Sequence, residues 1–165
     1  MKNIVGLFII FLFGCQTYYE RDNVALKVKN IQTNNLPVIV NVSSNPPNSA
    51  GGVDFGVIWK NVSFKTIKYI SFSAVPYNSV GDTQSCSIRK YSLFNGQHPG
   101  PFPPGYTSPE GHGWTSHWRD AWYNSSITCV KLQKVEVIFM DNSKVTISDI
   151  AKITDPNQEV CPPVY

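Results

Sequence analysis

Apolar and polar residues alternate along most of this chain, and the period of the alternation is two. Val24, Leu26 and Val28 are interleaved with polar neighbours over 23–32, and 38–42 repeats the pattern after Pro37. Side chains two apart in an extended chain point to the same side, so such runs predict strands with one buried face. Val53, Phe55, Val57 and Trp59 share one side of a further strand. The run 66–77 (TIKYISFSAVPY) is dense in β-branched and aromatic residues, which suit a pleated surface. Residues 84–94 predict another strand, with Cys86 and Ile88 facing one way. Near the C-terminus, 127–140 and 144–147 form a hairpin around Asp141, Asn142 and Ser143. Val135, Val137 and Phe139 share a face there, matched by Val145 and Ile147. The parity slips between Leu132 and Val135, which predicts a bulge or a bend.

Turn formers separate these runs at 43–52 (SSNPPNSAGG), 61–65 and 78–82. From 95 to 113 (NGQHPGPFPPGYTSPEGHG) Pro and Gly dominate, and the expectation is a long loop with no sheet running through it. One short helical turn fits after Asp149. Six to eight short strands, spaced about ten residues apart, predict an all-β, antiparallel sandwich.

The first fifteen residues, MKNIVGLFIIFLFGC, break this pattern. Lys2 precedes an uninterrupted apolar run over 4–13. A membrane-spanning helix needs about 20 such residues, so the run is too short to span and has the length of a signal-peptide core. It ends Leu12-Phe13-Gly14-Cys15 rather than in a small-x-small site. This resembles the lipobox of bacterial lipoproteins, in which a small residue precedes the modified cysteine. The resemblance implies cleavage before Cys15 and a diacylglyceryl group on its sulfur. Two or three acyl chains are needed for lasting attachment, since a single myristoyl chain holds only marginally. Gln16 stands where an Asp would resemble an inner-membrane retention signal, which favours the outer membrane. The expected division is a signal peptide over 1–14, a lipidated tether over 15–23, a β-sandwich domain over 24–150 and a tail over 151–165.

Export changes the reading of the cysteines. Cys86, Cys129 and Cys161 would lie in an oxidising space, where disulfides persist. Three is odd, so one is left over. The favoured pairing is Cys86 with Cys129, both in strand-like stretches. Cys161 competes for either partner, and three buried thiols are the alternative. Composition adds limits. Hydrophobic residues make up 42% of the chain and charged residues 15%, which suits a folded domain. The net charge of +3 falls to +2 when Lys2 leaves, and the basic residues are scattered, so no nucleic-acid partner is expected.

The stretches FGVIWKNVSFKTIKYISFSAVPYNSVGD and WYNSSITCVKLQKVEVIFMDNSKVTI resemble an immunoglobulin-like domain of bacterial exported proteins. The likeness covers about 50–148. It implies an immunoglobulin-like sandwich and no activity, because its shared motifs are turns and core aromatics.

Candidate chemistry is sparse. His112 and His117 lie with Glu110 and Asp120 in EGHGWTSHWRD, an acid and imidazole set able to ligate a divalent ion, but without the spacing of a helical zinc site. No Gly-x-Ser-x-Gly elbow and no Cys-x-x-Cys occur, so no catalytic residue and no cofactor is expected. Trp114, Trp118 and Trp122 recur every four residues, with Tyr123 beside them and Phe102 and Tyr106 upstream. That spacing puts the tryptophans on one face of either a helix or a strand. They suit an aromatic platform for a sugar or a protein, or a cap on the sandwich core. The expected function is a lipid-anchored, non-catalytic binding or structural module of the bacterial envelope, on either the periplasmic side or the cell surface. Its partners would be a membrane through Cys15 and an envelope protein or glycan. The alternatives are a carbohydrate-binding module on the tryptophan face and a metal-dependent envelope hydrolase.

Overall fold

The structure, a computed structural model, describes residues 35–108, 116–154 and 161. Among these residues eight strands run β1 (Val38–Ser44), β2 (Gly52–Asn61), β3 (Ile67–Tyr77), β4 (Phe94–Phe102), β5 (Thr107–Ser108), β6 (Ser116–Tyr123), β7 (Cys129–Phe139) and β8 (Lys144–Ile147). They form two antiparallel sheets. In the first, β2 pairs β1 on one edge and both β6 and β5 on the other; the second has the order β4-β3-β7-β8. The chain crosses between sheets three times, at β2–β3, β4–β5 and β6–β7, in an all-β antiparallel sandwich. The segment 23–32 lies outside the described residues.

Alternation fixes which side of each strand is buried. Val38, Val40 and Val42 of β1 and Val53, Phe55, Val57 and Trp59 of β2 face Ile70, Phe72 and Ala74 of β3 and Val135, Val137 and Phe139 of β7. Each fully buried large side chain contributes about 1.5–3 kcal/mol, so this interleaved layer is what holds the sheets together. The parity slip in β7 is a bulge: Ser73 pairs Lys134, whereas Ala74 pairs Leu132. The hairpin also takes the expected register, with Val135 opposite Ile147 and Val137 opposite Val145. A single 3-10 turn, Ile150–Lys152, follows.

Two expectations are overturned. The run 84–94 is not a strand. Cys86 is fully buried but Ile88 is 66% exposed, so they do not share a face. The backbone folds back on itself, with Lys90 N–H donating to the Cys86 carbonyl and Cys86 N–H to the Tyr91 carbonyl. Lys90 takes a left-handed φ of 63°, which ends any extended run. Conversely, a strand does pass through the Pro/Gly-rich region, because β4 occupies Phe94–Phe102. Among the described residues β4 is an edge strand paired to β3 alone, so the missing donors of Pro99 and Pro101 are tolerated.

The disulfide also differs from the expected pairing. Cys129 is joined to Cys161, with Cα atoms 5.2 Å apart, and Cys86 is a buried free thiol. Cys86 sits under the turn of 86–91, where its sulfur accepts the amides of Arg89 and Tyr123 at 3.4 Å. Burial raises its pKa, but these amides and that of Ile88 outweigh it, and the thiol lies below its usual value. The tail makes one parallel bridge to β1, between Thr154 and Val40, and is tied through Cys161 to the start of β7. It thereby joins one sheet to the other.

Candidate functional site

The aromatic residues do not form one platform. They line the space between the sheets in two groups bridged by Phe72, whose ring lies 6.5 Å from Trp59 and 6.1 Å from Trp118. Trp122 is fully buried, and its indole N–H donates to the Ser92 carbonyl at 2.8 Å. Trp118 is half-buried and stacks on Phe55 at 5.5 Å, with Phe94, Phe72 and His98 at its edges. At the other end Phe102 and Tyr106 stand 4.9 and 5.3 Å from Trp59. Tyr123 is half-buried, and its hydroxyl pairs with Asp120, which raises its pKa. Trp114 lies outside the described residues, as do Cys15, Glu110 and His112.

Two local features turn Trp118 and Trp122 inward. Asp120 has a left-handed φ of 49°, and the β2–β6 register shifts beside it, so the strand kinks between the two indoles. Its N–H donates to Asp54 Oδ1 at 2.9 Å, which pins the kink. Opposite, Gly96 of β4 leaves the room that Trp118 fills, since a Cβ there would overlap the indole ring. The spacing placed both tryptophans on one face, and that face is the core.

His117 does not join Asp120. Its Nε2 lies 3.2 Å from Asp54 Oδ2 on the outer face of the first sheet. The recess beside this pair, bordered by Ser43, Ser44 and Asn45, measures about 10 Å³, room for at most one water. Asp54 thus holds the strand kink with one oxygen and the imidazole with the other. Among the described residues, no three His, Cys, Asp or Glu side chains are grouped to hold a metal ion.

A concavity lies at the end of the sandwich formed by the β2–β3 and β7–β8 turns. It is a mainly apolar groove of about 370 Å³, walled by Leu36, Pro37, Val62, Phe64, Phe139 and Val145. The neighbouring β2–β3 and β7–β8 turns are stapled together. Met140 N–H donates to the Thr66 carbonyl at 3.0 Å, and Lys65 Nζ reaches Asp141 Oδ2 at 2.7 Å. Asn61, fully buried, organises this end: its amide N–H groups donate to the carbonyls of Lys65, Phe102 and Pro103, and its Oδ1 accepts from the Ser63 amide and hydroxyl. The turn so fixed leaves Phe64 89% exposed and Met140 55% exposed. Phe64 borders the groove, so its exposed ring extends the groove's apolar surface.

Period-two reading could not find this site. Phe64 lies in a run marked only as a polar turn, and the groove is assembled from three separate parts of the chain. No protein-family model and no curated protein matches the sequence.

Proposed function

We propose that the chain is an exported lipoprotein, cut before Cys15, anchored through lipid on that cysteine to a bacterial envelope membrane, and acting there as a non-catalytic binding or structural module related to the immunoglobulin-like domains of exported proteins. The observation that carries this reading is the Cys129–Cys161 bond. Structural disulfides belong to oxidising, extracytoplasmic spaces, and the leader ending Leu12-Phe13-Gly14-Cys15 supplies the route there. Gln16 after the cysteine favours the outer membrane, and the module's partner is an envelope protein or glycan.

The experiment is metabolic labelling of producing cells with an alkyne-bearing palmitate, followed by envelope fractionation. The chain is expected to carry label and to sediment with membranes, and Cys15→Ser is expected to lose both. Incubating the purified chain with peptidoglycan and with envelope extract tests the binding role. Unlabelled chain found in the cytosol would overturn the proposal.

A further inference from the structure

We propose that residues 24–30 form a further strand of the second sheet, which adds to the open edge of β8 and places Val28 in the groove beside Phe64. The inference goes beyond the anchored reading and does not depend on it.

Among the described residues, the margins of the two sheets differ in how they end. On β1, Val40 N–H donates to the Ile153 carbonyl at 2.8 Å, and Val42 is engaged as well. On β6 the 86–91 turn closes the margin: Ser87 N–H donates to the Tyr123 carbonyl and the Tyr91 hydroxyl to the Ala121 carbonyl, both at 2.7 Å. β5 is two residues long, and β4 carries Pro99 and Pro101, which offer no N–H. β8 has no such cover. Phe139 N–H donates to the Ser143 carbonyl, and bonding alternates along an antiparallel pair, so Val145 and Ile147 bond to β7. The N–H and C=O groups of Lys144 and Thr146 therefore turn outward, and no described residue bonds them.

A four-residue edge is partly protected by its shortness. What sets β8 apart is its inner flank. Val145 forms part of the wall of the apolar groove of about 370 Å³, and Phe64, 89% exposed, extends that wall. A strand added to β8 puts every second side chain on this inner side, where an apolar residue is required.

The residues that precede Asn35 meet this requirement. Val24, Leu26 and Val28 alternate with polar neighbours, as in a strand with one apolar face. Asn35 itself lines the groove, and its left-handed φ of 54° turns the chain there, just before β1. Val28 lies seven residues earlier, at most about 25 Å of extended chain. A segment that arrives at the groove runs against β8, which starts at the same end, so the pairing is antiparallel. Leu26 and Val24 then follow Val28 along β8 towards the half-buried Ile150. Lys27 and Lys29 fall on the outer side of the new margin, and lysines on an edge keep it from pairing further.

Hydrogen exchange of the chain as isolated from cells, read amide by amide, tests the pairing. Lys144 and Thr146 are expected to exchange slowly, as Val145 and Ile147 do through their bonds to β7. Val28→Asp places a charge in the apolar groove and is expected to speed Lys144 and Thr146 about tenfold or more, with Val145 and Ile147 still slow. Should all four amides speed up, the milder Val28→Ser is read in the same way. Fast exchange at Lys144 and Thr146 in the parent chain overturns the proposal. So does slow exchange that neither substitution alters, because another segment then covers the edge. Slow exchange that is lost on dilution also overturns it, because the strand then comes from a second copy.

Discussion

Removing Cys161 should weaken the fold by about 4 kcal/mol without abolishing it. The bond links residues 32 apart in sequence. Closing a loop of that size in the unfolded chain lowers its entropy by about 12 cal/mol/K, or about 4 kcal/mol at 25 °C. Domains are stable by about 5–15 kcal/mol, so Cys161→Ala should remain folded at room temperature. For a domain of about 120 residues the unfolding entropy is roughly 0.25 kcal/mol/K, which converts the loss to a midpoint lowered by about 15 °C. Scanning calorimetry on the oxidised parent and the variant reads this directly. Peptide mapping under non-reducing conditions should find 129 linked to 161, and Cys86 alkylated only after denaturation. A midpoint lowered by less than about 3 °C, or a linked 86–129 peptide, would refute the reasoning.

Other perturbations test other parts of the structure. Asn61→Asp keeps the shape but loses the donors to three carbonyls, and should cost roughly 2–4 kcal/mol in urea unfolding. An unchanged midpoint would mean that Asn61 does not organise this end. Gly96→Ala drives a methyl into the Trp118 indole and should cost about 1–3 kcal/mol, with altered near-ultraviolet circular dichroism. Stability should also fall on acidification in two stages. Burial holds His98 below its usual pKa, so below about pH 6.5 the unfolded chain takes up a proton there that the folded chain refuses. Lys65 first, and Ser143 after it, hold Asp141 far below the usual carboxylate range. Its contribution is present above about pH 4 and is lost as pH falls further. Urea titrations across pH 7.5 to 3 check both stages, and His98→Leu should flatten the upper one.

Period-two patterning was enough for the sandwich, because burial of one sheet face is a property of each strand alone. It located β1, β2, β3, β7 and β8, and the bulge around Gln133 came from a local slip in parity. What it missed depended on partners distant in sequence. The prolines of 99 and 101 read as a break in any sheet, yet β4 lies at an edge where their missing donors cost no ladder bond. Cys86 and Ile88 alternate as in a strand, but the turn at Lys90 and the amides bound to the Cys86 sulfur separate them. Three cysteines present no local feature that selects a pair, and the tail reaches Cys129 only because it runs beside β1. The tryptophan spacing put Trp114, Trp118 and Trp122 on one face; Trp118 and Trp122 share it, and Trp114 lies outside the described residues. Only the kink at Asp120 and the space at Gly96 decide that this face is internal. Phe64 carried no signal at all, since an isolated apolar residue in a polar turn is ordinary until the fold shows it standing out beside a groove.

The most direct test of the account is the intact mass of the chain purified from cells that make it. A chain beginning at Cys15 and heavier than its amino-acid sequence by a diacylglyceryl group is the predicted result. An unmodified N-terminus, or the 1–14 leader still attached, would contradict it.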